Sequence, residues 1–358
     1  MIVEASLPDV SLFVNGQKYE GWTEASVKRS VKAIAGEFNL SVTDNWGGTG
    51  SVFFISIGDE AQVKIGDDVL VTGFIEEIQN SIDASGHTVS VSGRDKSADL
   101  VDCSAIYKSG EIKNADLLKI AQLLTEPFGL SVRAETDVGA PFPGFVIKTG
   151  ETVFEAMDRA ARLRGVLFSS DGLGNIVITK LGKNKTQTSL IESQNVKQAN
   201  LSLDTKERFS EYFVKAQMKG TDQTHGKHVS QVKGDASDPV IKRYRPLVII
   251  AEQQANLAES KKRAQWEAAV RAANASKVSV TVQGFEQNES GPLWQVNEIV
   301  YFESKTLGLK QELLIADIEW KISGSSGRET VMTLQKPDAF IPKPKVEKKN
   351  DPVGEYEL

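Results

Sequence analysis

An α+β fold, mainly β, with two similar antiparallel β-barrels around an inserted α/β domain, is predicted by three observations. Short runs of alternating apolar and polar residues, broken by turn chemistry, fill the first and last thirds of the 358 residues. The period changes from two to about 3.6 in the middle third. The last third also repeats a pattern of the first: Ile65-Gly66-Asp67-Asp68-Val69-Leu70, Phe74 to Ile78 and Gly86 to Val89 have partners in Val296 to Val300, Asp317 to Ile322 and Arg328 to Val331. Both series run turn, strand, long strand with apolar–acidic alternation, glycine turn, strand.

In chain order, SLFVNGQKYEGW places Asn15-Gly16 at a hairpin turn, and EFNLSV, SVFFISI, VLVTGFIEEI and HTVSVSG follow as strands. Residues 1–98 are the first barrel, which 189–219 could complete. Leu117, Ile120, Ala121 and Leu124 then sit at helical spacing behind an Asn114 cap, ending at Pro127 and Gly129. GLSVRAE is a strand. Glu151 to Arg164 is a second amphipathic helix with Gly165 at its C-terminal cap, and VLFSS and NIVITK form a hairpin across Asp171-Gly172-Leu173-Gly174. Residues 99–188 are the α/β insert. The second barrel, 189–336, contains the strands ERFSEYFVKAQMKG and IKRYRPLVIIAE with the polar loop 221–238 between them. It also holds a helix over 252–276 whose Leu257, Ala258, Ala264, Ala268 and Ala272 lie near one face, and four closing strands. Residues 337–358, rich in proline and charge, are expected to be a mobile tail.

The length calls for more than one core, and 40% hydrophobic residues supply the material. Basic and acidic residues are interspersed at a net charge of −6, so the electrostatic footprint of nucleic-acid binding is missing. One cysteine excludes an internal disulfide and a multi-thiolate zinc site. The N-terminus has no export-signal pattern and no apolar run is long enough to span a bilayer, which predicts synthesis in a cytoplasm and no stable membrane insertion.

The stretch VSVSGRDKSADLVDCS gathers Arg94, Asp95, Lys96, Asp99, Asp102 and Cys103 within ten positions, the residue types of an acid–base or thiol site. A cysteine nucleophile needs a base, and none of His87, His225 and His228 stands in a cysteine-hydrolase context. The structural alternative is a strand-to-helix corner: the strand ends at Gly93, Asp95 or Ser97 caps a short helix, and Arg94 pairs with a carboxylate. This reading is the better supported. His225 and His228 in THGKH lack a third metal ligand, and Asp171 to Asn175 lacks the alternating carboxylates of a calcium loop. No phosphate-binding loop, dinucleotide fingerprint or nucleophile elbow is present. No catalytic residue, metal ligand or cofactor is therefore assigned, and Gly93, Arg94, Asp95, Lys96 and Asp99 stand as a structural signature.

The segments YEGWTEASVKRS (19–30), VSGRDKSADLVDCSAIY (91–107), FPGFVIKTGETVFEAMDRAARLRGVL (142–167), RFSEYFVKAQ (208–217) and RYRPLVIIAE (243–252) resemble the baseplate hub, or tail protein P, family of Mu-like contractile-tail bacteriophages. They occur in family order over nearly the whole chain. The resemblance implies a non-enzymatic virion component of a phage or prophage tail: a homotrimeric hub joining the hexameric tail tube to the central spike and touching the baseplate wedge. The hub of a tailocin-type injection machine is the alternative it leaves open, and a tail-associated peptidoglycan hydrolase is a more distant one. The 337–358 segment departs most from the family pattern.

Overall fold

A computed structural model describes residues 9–43, 55–82, 87–182, 184–216, 232–251 and 255–341. The chain divides into two compact units, one of residues 1–202 and 277–337, the other of 203–276 and 338–358.

In the first unit, β1 (Val10–Val14) and β2 (Gln17–Tyr19) form a hairpin over Asn15 and Gly16, both with positive φ, the geometry that an Asn-Gly turn adopts readily. Strands β3 (Glu24–Ser30), β4 (Glu37–Thr43), β5 (Glu60–Ile65), β6 (Asp68–Ile82) and β7 (His87–Asp95) follow. After β7 the chain enters the α/β region: helix α1 (Ala98–Asp102), β8 (Glu111–Ala115), α2 (Leu117–Thr125), β9 (Val132–Ala134), β10 (Phe142–Val146), α3 (Val153–Arg162) and the hairpin β11 (Leu167–Ser170) to β12 (Ile176–Thr179). Leu117, Ile120, Ala121 and Leu124 of α2 and Val153, Met157 and Ala160 of α3 are buried in one core, as their spacing requires. The cap of α2 is Asp116, whose carboxylate accepts the Lys119 amide. Asn114 instead lies within β8 with φ of 49°, a left-handed position that asparagine tolerates. Thr152 and Glu155 close a capping box on α3.

Short strands β13 (Asn184–Lys185) and β14 (Leu190–Ile191) precede β15 (Gln198–Leu203). The second unit then holds β16 (Glu211–Ala216), β17 (Val232–Ser237), β18 (Pro246–Ile250) and helix α4 (Leu257–Asn274). Its strands form a three-stranded sheet in the order β17-β16-β18, with Tyr212, Val214 and Ala264 buried between sheet and helix. Residues 232–237, expected in a polar loop, form a strand. Lys233, Gly234 and Asp235 hide its alternation because it runs at a sheet edge, where charge is tolerated. The remainder of that loop, with His225 and His228, lies outside the described residues. Helix α4 is capped by Asn256 in a capping box with Glu259. Its inward line is Ser260, Ala264 and Ala268, while Leu257 is exposed. Gly234 lets the strand meet Ser260 at close range: a Cβ there would stand 2.2 Å from the Ser260 carbonyl carbon.

The chain returns to the first unit through β19 (Ser276–Gln283), β20 (Glu298–Ser304), β21 (Leu309–Ser323) and β22 (Gly327–Gln335). The fold is mainly β. Where two barrels were expected, the pairing joins both strand sets into one 14-stranded sheet ordered β15-β19-β22-β21-β3-β4-β7-β6-β5-β1-β2, and no closed barrel exists among the described residues. The join is the antiparallel pairing of β21 with β3, from Asp317↔Ser30 to Ser323↔Glu24.

Both strand sets have the same construction. β6 and β21 are each 15 residues long, β7 and β22 each nine, and each long strand shifts register once against its nine-residue neighbour, between Ile75 and Glu77 and between Ile315 and Asp317; β6 has a further shift at Leu70 against β5 that β21 lacks against β20. Aligning those bulges matches β3-β4-β7-β6 with β15-β19-β22-β21 in the same order along the sheet.

Candidate functional site

The GRDKSADLVDC segment is the corner where β7 hands over to α1. Gly93 sits between β4 and β6, opposite Phe38 and Ile75. A Cβ at Gly93 would stand 2.0 Å from the Phe74 carbonyl oxygen, and one at Gly73 would stand 1.7 Å from the Arg94 carbonyl oxygen, so this crossing admits no side chain at either position. The register shift leaves Glu76 as the extra residue of β6, and Arg94 grips it with Nε and Nη2, both at 2.7 Å. Nη2 also reaches Asp102 of α1 at 2.6 Å. These hydrogen bonds raise the Arg94 pKa, and the Arg94 contact holds the Asp102 carboxyl below its ordinary value.

Asp95 is 2% exposed. Its Oδ1 accepts the Ser97 amide at 2.9 Å, and its Oδ2 accepts the Ser170 hydroxyl at 2.7 Å. Burial pushes its pKa up; hydrogen bonds from Ser97 and Ser170 and the nearby Arg29 charge pull the other way. Ser97 occupies the N-cap position of α1, but its hydroxyl points at the Ile34 carbonyl, so neither expected residue makes a side-chain cap. Lys96 reaches outward to Glu60 at 3.0 Å, Asp99 is exposed in the first turn of α1, and Cys103 is exposed at its end. The structure thus brings together Arg94 with Asp102, Asp95 with Ser97 and Lys96 with Glu60, and turns Asp99 to solvent.

Four partners in this corner escaped the sequence reading: Arg29, Thr72, Ser170 and Gly172. Arg29 donates to the Ser170 carbonyl and Thr72 donates to the Gly172 carbonyl at 2.7 Å, which fastens the β11–β12 turn onto β3 and β6. Gly172, with φ of 80°, has the Val69 carbonyl oxygen 2.7 Å from where a Cβ would be. Arg29 had a legible signal, since Ala25, Val27 and Arg29 share one side of β3 and the first two are core residues. Asp171 spends its oxygens on the Leu173 and Asn175 amides, the Asn175 side chain and Arg133, which makes the segment a hairpin turn. Among the described residues no group of three or more His, Cys, Asp or Glu side chains is placed to hold a metal.

A larger surface is built by the eight strands from β15 to β6. One face carries Val27, Leu40, Val91, Val280, Ile318, Met332 and Leu334 into the main core. The other is polar: Ser26 donates to Glu319 at 2.7 Å, Ser30 to Asp317 at 2.5 Å, Ser90 to Asn39 at 3.0 Å, and Asn200, Thr281, Thr333, Ser92 and Gln79 continue the row by alternation. The row's two outer strands are unpaired among the described residues: β15 along one edge, and the C-terminal half of β6 along the edge turned away from β7. Both end in exposed aliphatic side chains, Leu203 at 71% and Ile82 at 81%.

The geometry is that of a scaffold: a polar-faced sheet assembled from a head-to-tail repeat and carrying an insert. Similarity to known proteins places that scaffold among phage-tail proteins. Domain models of that class cover this chain in series: Mu phage baseplate assembly protein GpP-like, N-terminal, over 9–95; baseplate hub protein gp44-like, second domain, over 97–180; tail protein NMB1110-like, third domain, over 208–266; and GpP, fourth domain, over 256–343. The baseplate hub protein gp44 of Escherichia phage Mu is 32% identical across 97% of this chain and 92% of its own length. Among solved structures, the 43 kDa tail protein of prophage MuSo2 from Shewanella oneidensis superposes with a TM-score of 0.83 at 37% identity, covering 94% of this chain and 100% of that one. The tail protein from Neisseria meningitidis MC58 gives 0.76 at 23%, covering 92% and 98%. The chain belongs to the Mu-type baseplate hub family, and it is a structural component of the phage tail baseplate, located in the virion.

Proposed function

We propose that this chain is a homotrimeric, non-enzymatic hub that joins the hexameric tail tube to the central spike and contacts the baseplate wedge. The observation that carries the reading is the head-to-tail repeat with, among the described residues, an unpaired strand edge at each end. Inside the chain, the last strand of one copy, β21, pairs with the first strand of the other, β3. The same join between molecules sets the open half of β6 against β15 of the next chain, antiparallel, through a heterologous contact that closes on itself after three chains. Three chains supply 24 strands of the eight-strand row, and at a spacing of about 4.8 Å the ring is about 37 Å across from backbone to backbone, wider where strands tilt. The polar face lines the opening and the apolar face stays in each molecule's core. Six similar units then meet a hexameric partner on one side, while the three inserts mark three-fold symmetry.

In this arrangement residues 1–98 and 189–336 carry the two copies of the strand repeat and 99–188 the insert, with 203–276 packed around its own small core. The corner at Asp95 anchors the insert, and its polar residues have hydrogen-bonding partners of their own, which supports a mechanical role. Light scattering should return three times 39.0 kDa. Asn200→Pro tests the edge directly. The Lys197 amide bonds to β19, so by alternation Asn200 turns its amide outward, and proline there spares the internal ladder. A folded monomer is the expected outcome; a wild-type chain that stays monomeric or forms an even-numbered closed ring overturns the proposal.

A further inference from the structure

The second unit carries a strand edge that the hub ring does not use. β18 pairs with β16 in parallel, Phe213 beside Val248 and Lys215 beside Ile250, and nothing pairs its other side among the described residues. The Arg245 carbonyl accepts the amide of Ser210, the residue before β16, and the Ala251 amide donates to the Lys215 carbonyl of β16. By the alternation of a strand, Val248 and Ile250 therefore direct their amides and carbonyls outward. Their side chains are 52% and 79% exposed. Helix α4 packs over β16 and β17 and leaves Leu247 and Ile249 only half-covered.

Sheet edges are ordinarily protected by charge, proline or a bulge. β17, the opposite edge, follows that rule with Lys233 and Asp235, whereas β18 reads Pro-Leu-Val-Ile-Ile and has only Pro246, at its first position. Charge gathers instead at its two ends. Lys242 and Arg243 are exposed on its approach, beside an 84% exposed Tyr244, and Lys215 and Lys233 share the uncovered face at the Ile250 end, Lys233 lying 3.7 Å from the centre of the Phe213 ring.

We infer that β18 is a strand-addition site for an extended segment of another tail protein, one with aliphatic side chains at alternate positions and carboxylates at both ends. Main-chain hydrogen bonds to Val248 and Ile250 supply the register, the aliphatic side chains cover the exposed strip, and the basic ends select the partner's acidic flanks. A second copy of this chain fits less well, because β18 facing β18 opposes like charges.

The test places a benzophenone amino acid at position 248 of the full-length chain, assembles tails with the remaining tail proteins, irradiates them and maps the cross-link by mass spectrometry. A cross-link to an aliphatic segment flanked by acidic residues in a different tail protein is expected. Amide exchange at Val248 and Ile250 should be at least tenfold slower in tails than in the isolated protein. Ile250→Lys should abolish both effects while leaving the isolated protein's mass and circular dichroism unchanged, which separates this site from the ring itself. A cross-link to a second copy of this chain, to a helix of any protein, or to nothing, with unchanged exchange, overturns the proposal.

Discussion

The two copies of the repeat share the lengths of their long strand and its nine-residue partner and the bulge between them, but differ at that bulge itself. In the first copy the extra residue is Glu76, held by Arg94; in the second it is Ala316, fully buried, whose carbonyl accepts the Val31 amide at 2.8 Å. Aligned on their bulges, Gly73 and Gly93 of the first copy correspond to Leu313 and Leu334 of the second, both core residues. The same backbone has thus been finished in two ways. The second copy fills its corner with leucine and is held by packing. The first empties its corner to glycine and uses hydrogen bonds, because the insert leaves the sheet there and the β11–β12 turn folds back onto it. A strand repeat fixes the scaffold, and the corner residues decide whether it carries a second domain.

The largest effect that could break this comparison comes from exchanging the two finishes. Gly73→Val drives a side chain into the Arg94 carbonyl and should cost about 3 kcal/mol or more, with cooperative unfolding of the first copy lost. Leu313→Ala, at the matching site, should cost a similar 2–5 kcal/mol for the opposite reason, a cavity. Chemical denaturation of both variants reads the pair. If Gly73→Val were tolerated while Leu313→Ala was not, the first corner would not be the tight crossing described.

Asp95→Ala should cost less, about 2 kcal/mol, since it leaves the Ser97 amide and the Ser170 hydroxyl without their shared acceptor. The loss should fall on the insert's attachment: protease cleavage near residues 96–98 and 171–174 should quicken, while the ladder of β21 with β22 keeps its amide protection. Equal loss of protection in both copies would mean that the corner supports the whole sheet and not the insert.

How much of this was legible in sequence depended on whether the signal was periodic or relational. The helices over 117–125 and 153–162 followed from spacing because each buries one continuous face. The repeat was legible at the level of its long strand and the strand that follows, but not its register, because a bulge interrupts the alternation of each long strand. The fusion of both strand sets into one sheet was not, since β3 and β21 are separated by almost 300 positions and nothing in either strand names its partner. The corner was half legible: Arg94, Asp95 and Ser97 stood out by chemistry, whereas Ser170 and Gly172 carry meaning only once the β11–β12 turn has met β6. Capping asparagines and aspartates were interchangeable on paper, and only the backbone distinguishes Asp116 as the cap from Asn114 as the left-handed residue.

The smallest expected effect sharpens the comparison by pH. Asp95 and Asp102 lie on the two sides of the same corner and are shifted in opposite directions, Asp95 upward chiefly by burial and Asp102 downward by its bond to Arg94. For Asp95 the folded protein holds its proton more tightly than the unfolded chain. Its contribution is therefore most favourable below the ordinary aspartate range and declines as pH rises through that range to its raised folded value. Asp102 behaves in reverse, contributing above the ordinary range and losing that contribution as pH falls through its lowered value, by a small amount because the pair is largely exposed. Asp95→Asn keeps an acceptor for the Ser97 amide and removes the titration. The difference in stability between this variant and the wild type, measured by urea denaturation from pH 4 to pH 7, should shift in the variant's favour as pH rises and level off above the raised value. The second copy has Gln335 where Arg94 stands in the first, so Gln335→Leu should leave a difference that does not vary with pH across the same interval. A flat profile for Asp95→Asn as well would mean that Arg29 and the two serines fully compensate the buried charge, and that the first corner is electrostatically as neutral as the second.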